Sequence, residues 1–438
     1  MNIEAAERSD DPINILMNCT GFAATTLFLK ALDKKILDER AGNRQKIGHI
    51  IGVGRHGKHE DLASRVLNAT ESCTKDANAF SRYRNIIQQP AAVSFLEADI
   101  RKPQWGIEPV GLKHIRNKKT SHIAVLTGGT SFSDDEKTKQ KMHEDHVLGT
   151  QKALGLASDC AIGTVDYFST LYVLGLCKNS DRLREEILDP SSITPSNPYT
   201  AAKLEGEQKL FKDSQKSKKR VIRLPILGGF SEEAELSGLM PGFVTDLKVF
   251  YGILKSAHIY QNRLWRKRFV KYLAGHLARF NKESLKITFP GEEETLMNML
   301  HADKAMDAAL ELILAQVDES NLVKVSNIAP KEPLTLGDLM ALTKVIKDSN
   351  GDRLFPLADN IRIGQDPGKF ERILKIILGD SIDKFLESID IYRPFLLSQP
   401  KADIDTLIRH GIEPAMTIPD LEKLIQFTAA RRFKPIKI

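Results

Sequence analysis

Cysteine is scarce in this chain: Cys19, Cys73, Cys160 and Cys177 are the only four in 438 residues, far apart and without a Cys-x-x-Cys spacing. That excludes a zinc ribbon and a disulfide framework, and no metal is expected. Cys19 and Cys177 sit in apolar runs and read as buried thiols. No apolar run approaches the roughly 20 residues needed to cross a bilayer. The first residues, "MNIEAAERSDDP", are polar and acidic and lack the apolar core of a secretory signal. A cytoplasmic, reducing setting is the expectation. Charge of one sign is also wanting: 63 Lys and Arg stand against 57 Asp and Glu, a net +6, which does not by itself argue for nucleic acid. There is no internal repeat and no low-complexity segment.

What is present is alternation. After a tail over residues 1–12, short apolar runs ("INILMNC", "KIGHIIGVGR", "AVSFLEADI", "SHIAVLTGG", "AIGTVDYFSTLYVLG", "RVIRLPILGG") alternate with segments of helical period. Among these are "TTLFLKALDKKILDE", the stretch from Asp135 to Ser158, and "NPYTAAKLEGEQKLFK", opened by Pro198. Continuous apolar strands between helices imply a parallel sheet covered on both faces. The reading is an α/β chain: a doubly wound parallel sheet, the Rossmann fold, over 13–230 with a return segment at 295–330. Residues 231–294 and 331–438 then form a smaller, mostly helical C-terminal substrate lobe. In such a sheet ligands bind beyond the carboxyl ends of the strands.

Two constellations carry chemistry. Tyr199 and Lys203 are four apart on a helix, hence on one face. An ammonium beside a phenol favours the phenolate and improves its proton transfer. The pair alone is weak, since Tyr251 and Lys255 repeat the spacing in "YGILK", and either could be an ordinary surface helix. Tyr199, however, follows a strand ending in Ser169 and Thr170, whereas Tyr251 has no such upstream partner. Thr170 could share a substrate carbonyl oxygen with Tyr199. The second constellation is the first βα turn, "NCTGFAA", where a dinucleotide loop would place three glycines. Only Gly21 is there, with Asn18 and Ala24 in the other positions. Asn tolerates left-handed backbone, so Asn18 is expected to preserve the turn. Ala24 adds only a methyl group, and dinucleotide binding is expected to survive. Arg55 ends the second strand, where an acid would bind the ribose hydroxyl of NAD. An arginine there can pair with a 2′-phosphate. With His56 and Lys58 following, NADP(H) is favoured over NAD(H).

Taken in order, "CTGFAATTL", "FLEADIRKPQWGI", "VLTGGTSFSDD", "HVLGT", "STLYVLG", "NPYTAAKLEGEQ" and "RLPILGG" resemble the motifs of the extended short-chain dehydrogenase/reductases. The likeness is greatest to the branch of fatty acyl-CoA reductases and carrier-protein thioester reductases. It runs from about Ile13 to Gly229 and resumes weakly over 295–345. The resemblance implies that Thr170 polarises a carbonyl, Tyr199 donates the proton and Lys203 holds the nicotinamide ribose. It also implies cofactor contact at Thr20, Gly21, Phe22, Ala23, Arg55, Asp99, Ile100, Gly128 and Pro225, with Asp99 and Ile100 bordering the adenine. The chain departs from the pattern at His146, where the family has asparagine, at Leu126, which replaces histidine, and at Leu224, inserted between Arg223 and Pro225. His146 reads as a helix residue satisfied locally.

The expected function is therefore NADPH-dependent reduction of an acyl thioester, on coenzyme A or an acyl-carrier protein, or of a related carbonyl. Rival readings are action on a sugar nucleotide, sterol or polyketide, and a non-catalytic dinucleotide sensor or scaffold. The stretch 255–282 holds eight Lys or Arg and no acid, with Trp265, Phe269, Tyr272 and His276 on one helical face. It reads as a solvated amphipathic helix, a docking face for an acidic carrier protein, or a contact with an anionic membrane surface. The last would give peripheral membrane association. Nucleic acid is not expected, since no recognition motif accompanies the charge.

Overall fold

Seven strands pair side by side, all parallel, in the order β7-β6-β5-β4-β1-β2-β3. They are β1 (Ile13–Asn18), β2 (Ile47–Gly54), β3 (Val93–Glu97), β4 (His122–Val125), β5 (Thr164–Thr170), β6 (Lys218–Leu224) and β7 (Val323–Asn327). The computed structural model describes residues 11–55, 57, 60–178, 181–234, 236, 287–315, 323–348, 350–355, 359, 361–364 and 399–430. The chain winds outward from β1 through β2 to β3, then crosses back so that β4 lies on the other side of β1. That reversal opens a crevice at the carboxyl ends of β1 and β4.

Strand composition explains the burial. Every residue of β5, "TVDYFST", is buried, as a central parallel strand requires. On β1 the pleat divides neighbours between two cores: Ile15 and Met17 join one cluster, Leu16 the other. The first core is completed by α1 (Phe22–Arg40) and by Ala305, Ala309 and Ile313 of α8 (Ala302–Leu314); the second includes Leu154 and Ala157 of α6 (Gly149–Asp159). Helices α2 (Leu62–Cys73), α3 (Ala77–Ile87), α4 (Pro109–Asn117), α5 (Glu136–Met142) and α7 (Pro198–Lys212) complete the two layers.

Buried charges on the sheet are paired, as their desolvation demands. Arg223 on β6 meets Glu207 of α7 at 2.7 Å, both without exposure, and donates to the carbonyls of Arg184 and Glu186. Arg220 meets Asp166 of β5 at 2.6 Å, and its other nitrogens cap the last carbonyls of α8 at Leu312, Ile313 and Ala315. These pairs tie β5, β6, α7 and α8 into one block beneath the crevice.

Outside the main sheet, the described residues form short two-stranded ladders. Ile287–Pro290 runs parallel to Ile361–Gly364, Leu296–Met297 pairs antiparallel with Leu334–Thr335, and Met299–Leu300 pairs with Ile226–Leu227. Beside them lie α9 (Leu336–Val345) and α10 (Ile418–Ala430). The part expected to be mostly helical thus contains strand pairs among its described residues. The basic stretch 255–282 and the Tyr251–Lys255 pair lie outside the described residues. No described helix is long and apolar enough to cross a membrane, and no described group of three or more His, Cys, Asp or Glu is placed to hold a metal.

Candidate active site

Helix α7 begins where "SNPYT" dictates. Asn197 accepts from the Thr200 amide at 2.9 Å, and the Thr200 hydroxyl accepts from the Asn197 amide at 3.2 Å, a reciprocal cap with Pro198 in the first turn. This cap fixes Tyr199 and Lys203 one turn apart, facing the end of β5. The Thr170 hydroxyl, at the last residue of β5, accepts from the Tyr172 amide at 3.4 Å and is close enough to the Tyr199 phenol to favour its ionised form. The Tyr199 ring is held edge-on between Phe132 (5.9 Å between centroids) and His146 (5.3 Å). Lys203 is 4 % exposed; its Nζ donates to the Phe168 carbonyl at 2.7 Å and to Thr127 Oγ1 at 3.2 Å. The same ammonium lies 5.0 Å from the Tyr167 ring centre and 5.9 Å from that of Tyr199. Threonine, phenol and ammonium therefore meet in one place.

The electrostatics differ from the expectation in one respect. Desolvation of its hydroxyl pushes the Tyr199 phenol above its ordinary value, and the nearby Thr170 hydroxyl only partly opposes this. Burial likewise brings Lys203 down to about 7, against the pull of Glu207 and Asp145. Tyr199 is thus a neutral phenol near neutral pH rather than a phenolate. In that state it can give a proton.

The dinucleotide loop also departs from expectation. Asn18 does not turn left-handed. It stays in β1, and its side-chain oxygen accepts the Leu126 amide at 3.1 Å, tying the end of β1 to the end of β4. The left-handed turn falls to Gly21 alone, at φ 95° and ψ 149°, the N-cap of α1. Thr25 braces the loop by donating to the Cys19 carbonyl at 3.1 Å. No side chain caps α1 and no acid occupies its first turn, so its leading N–H groups are open to an anion. A Cβ on Gly21 would meet nothing within 4 Å. Thr20 and Ala23 are half-buried, and Phe22 is buried. The loop fits a pyrophosphate. Gly21→Asp, which places a carboxylate and a strained φ there, is expected to weaken NADPH binding about 100-fold or more by fluorescence titration.

The remaining predicted residues lie along the same edge of the sheet. Arg55 follows β2 and is exposed; its carbonyl accepts from Arg65. Asp99, beyond β3, is clamped by both ends of the Arg101 guanidinium at 2.9 and 2.7 Å, whose hydrogen bonds hold its carboxyl at about 2. Ile100 lies over Gly149. Gly128 is required twice: its φ is +52°, and a Cβ there would sit 2.7 Å from the Cβ of Asp145. Pro225 follows β6 and is buried. His56 and Lys58 lie outside the described residues.

Sequence reasoning did not anticipate Thr127 and Asp145. His146 is indeed satisfied locally, by the Thr127 hydroxyl at 2.7 Å and the Gly129 carbonyl at 3.2 Å. It sits on a π turn, His143–Leu148, that joins α5 to α6 without a break in helical backbone, so the helix expected over 135–158 forms with one wide turn inside it. The extra residue of that turn brings Asp145, His146 and Val147 into the interior.

The profile of the NAD-binding family described as "Male sterility protein" matches residues 24–268. No curated protein matches the sequence. Solved structures do, at low identity. The terminal R domain of the myxalamid PKS-NRPS pathway is 16 % identical, with 98 % of this chain and 94 % of that one covered and a TM-score of 0.66. A thiolation-reductase di-domain from an archaeal non-ribosomal peptide synthetase is 12 % identical, with 97 % and 77 % covered and a TM-score of 0.61. DesIV, a dTDP-glucose 4,6-dehydratase from Streptomyces venezuelae solved with NAD, is 14 % identical, with 96 % and 98 % covered and a TM-score of 0.55. At such identities these structures speak for the fold.

Proposed function

Since the chain belongs to the NAD-binding male sterility protein family, within the extended short-chain dehydrogenase/reductases, we propose that it is an NADPH-dependent reductase of an acyl thioester carried by coenzyme A or a carrier protein. The observation that carries this reading is that Lys203, on the same helix as Tyr199 and 5.9 Å from its ring, donates to the carbonyl of Phe168, two residues before Thr170 at the end of β5. When bound, NADPH would supply a hydride. The protein's own groups do the rest. In this reading a substrate carbonyl oxygen would accept from both the Thr170 and the Tyr199 hydroxyls. As negative charge develops on that oxygen, the neutral Tyr199 phenol gives it a proton. Lys203 beside it would stabilise the phenolate left behind and hold the ribose hydroxyls of the cofactor.

Arg55 supports the choice of NADPH. Among the described residues its exposed guanidinium takes no hydrogen-bond partner, and its charge lowers the pKa of both Asp99 and Asp145 only as a lesser contribution. A 2′-phosphate would give it a charge-assisted bond worth about 1.5–3 kcal/mol. Arg55→Ala is therefore expected to weaken NADPH binding about 10- to 100-fold while leaving NADH binding unchanged, as read by titration of each nucleotide.

An acidic carrier protein docking on residues 255–282 belongs to the same reading. Its support is the charge of that stretch and the thiolation-reductase di-domain among the similar structures. The test is NADPH oxidation against a panel of acyl-CoA, acyl-carrier, free ketone and sugar-nucleotide substrates. Turnover with thioesters supports the proposal. Turnover confined to ketones or sugar nucleotides, or binding without turnover, overturns it.

A further inference from the structure

Two side chains that this chemistry leaves unused lie directly behind its lysine. Thr127, just past β4, is 4 % exposed, and His146, on the π turn, has no exposure at all. The direction of each hydrogen bond between them follows from elementary chemistry. The Gly129 carbonyl can only accept, so His146 Nε2, 3.2 Å away, carries a proton. Burial, helped by the Lys203 charge, keeps the imidazole well below its ordinary value and therefore neutral. Nδ1 is then bare, and it accepts the Thr127 hydroxyl proton at 2.7 Å. Thr127 has no second proton. Toward Lys203 Nζ, 3.2 Å away, it offers only lone pairs.

The bonds thus run one way: Lys203 to Thr127, Thr127 to His146, His146 to Gly129. We propose that Thr127 and His146 are positioning residues for Lys203, presenting an acceptor of fixed orientation so that one N–H of the ammonium is aimed at the hydroxyls of a bound sugar. The count of donors supports this. An ammonium has three N–H groups; the Phe168 carbonyl holds one and Thr127 a second. One remains. Without His146 the Thr127 hydroxyl could rotate, and without Thr127 the ammonium would be anchored at Phe168 alone. The other groups facing Lys203 do not replace this anchor. Tyr167 and Tyr199 present ring faces, and Glu207 and Asp145 act through charge alone.

The inference rests on the reading of Lys203 as a ribose-holding group, so its test has one arm that needs no dinucleotide. In the first arm, NADPH is titrated by fluorescence into wild type, Thr127→Val and Thr127→Ser. The valine variant is expected to bind about tenfold more weakly and the serine variant to match wild type within about twofold. In the second arm, Lys203 is titrated by ¹⁵N NMR of Nζ with no nucleotide present. Losing an acceptor disfavours the ammonium, so the midpoint falls in Thr127→Val and returns in Thr127→Ser. The His146 nitrogen shifts, read in wild type, are expected to report the Nε2–H tautomer.

A midpoint that does not move in Thr127→Val, a serine variant that fails to restore it, or an Nδ1–H tautomer overturns the proposal. A midpoint that moves as expected in a protein that binds no NADPH overturns instead the ribose-holding reading on which the proposal rests. If Thr127→Val does not fold, the tautomer of wild-type His146 decides.

Discussion

Tyr199→Phe is expected to lower the turnover of carbonyl reduction by about 10²- to 10⁴-fold while the fold and NADPH affinity stay unchanged. The substitution removes one hydroxyl and keeps the ring that Phe132 and His146 hold edge-on. Packing is therefore preserved. What disappears is the hydroxyl proposed to give the proton, while Thr170 remains. Turnover and NADPH affinity should separate cleanly. A parallel loss of binding would place Tyr199 in the cofactor's support rather than in the chemistry. Turnover like that of wild type would remove it from the mechanism.

The second large effect is on stability. Lys203 titrates near 7 in the folded chain because burial disfavours its charge, whereas an unfolded lysine titrates near 10.4. Between those values the unfolded chain binds more protons, so wild-type stability rises with pH across that window. Below pH 7 the cost of the buried charge is present in full. Above about pH 10 it is gone. Lys203→Met keeps much of the volume and has no such dependence. The stability difference, variant minus wild type, is therefore expected to fall by about 3 kcal/mol between pH 7 and 9.5, because one pKa unit corresponds to about 1.4 kcal/mol. Denaturant unfolding of both proteins across that range measures it, and comparing the pair cancels every other titrating group. A difference independent of pH would mean that Lys203 is charged and solvated in the folded protein.

Lys203→Met should also abolish catalysis. A residue whose removal relieves a folding cost while destroying function is retained for what it does at the site.

The parts of this site that could be read from the chain were those written within one element. The one-turn spacing of Tyr199 and Lys203, the Asn197–Pro198 helix start and the all-apolar β5 are local patterns, and the structure shows each where those patterns put it. The errors arose where two elements meet. Asn18 has a left-handed tendency in isolation, but the end of β4 offers it an amide, and that hydrogen bond holds it extended. Charge alone would have Lys203 favour the Tyr199 phenolate, but burial moves both groups toward neutrality. Thr127 and His146 are 19 residues apart, and their contact depends on a π turn whose extra residue leaves no mark in an apolar pattern. The reversal of strand order between β1 and β4, which opens the crevice, follows from chain alternation only as a class of fold.

One co-crystal structure with NADP⁺ reaches the core of the account. It should show the pyrophosphate against Gly21 and the start of α1, with the nicotinamide ring in van der Waals contact with the Tyr199 hydroxyl and a ribose hydroxyl bonded to Lys203 Nζ. A nicotinamide lying elsewhere, with Tyr199 and Lys203 still turned toward Thr170 and Thr127 and touching no part of the nucleotide, would contradict it.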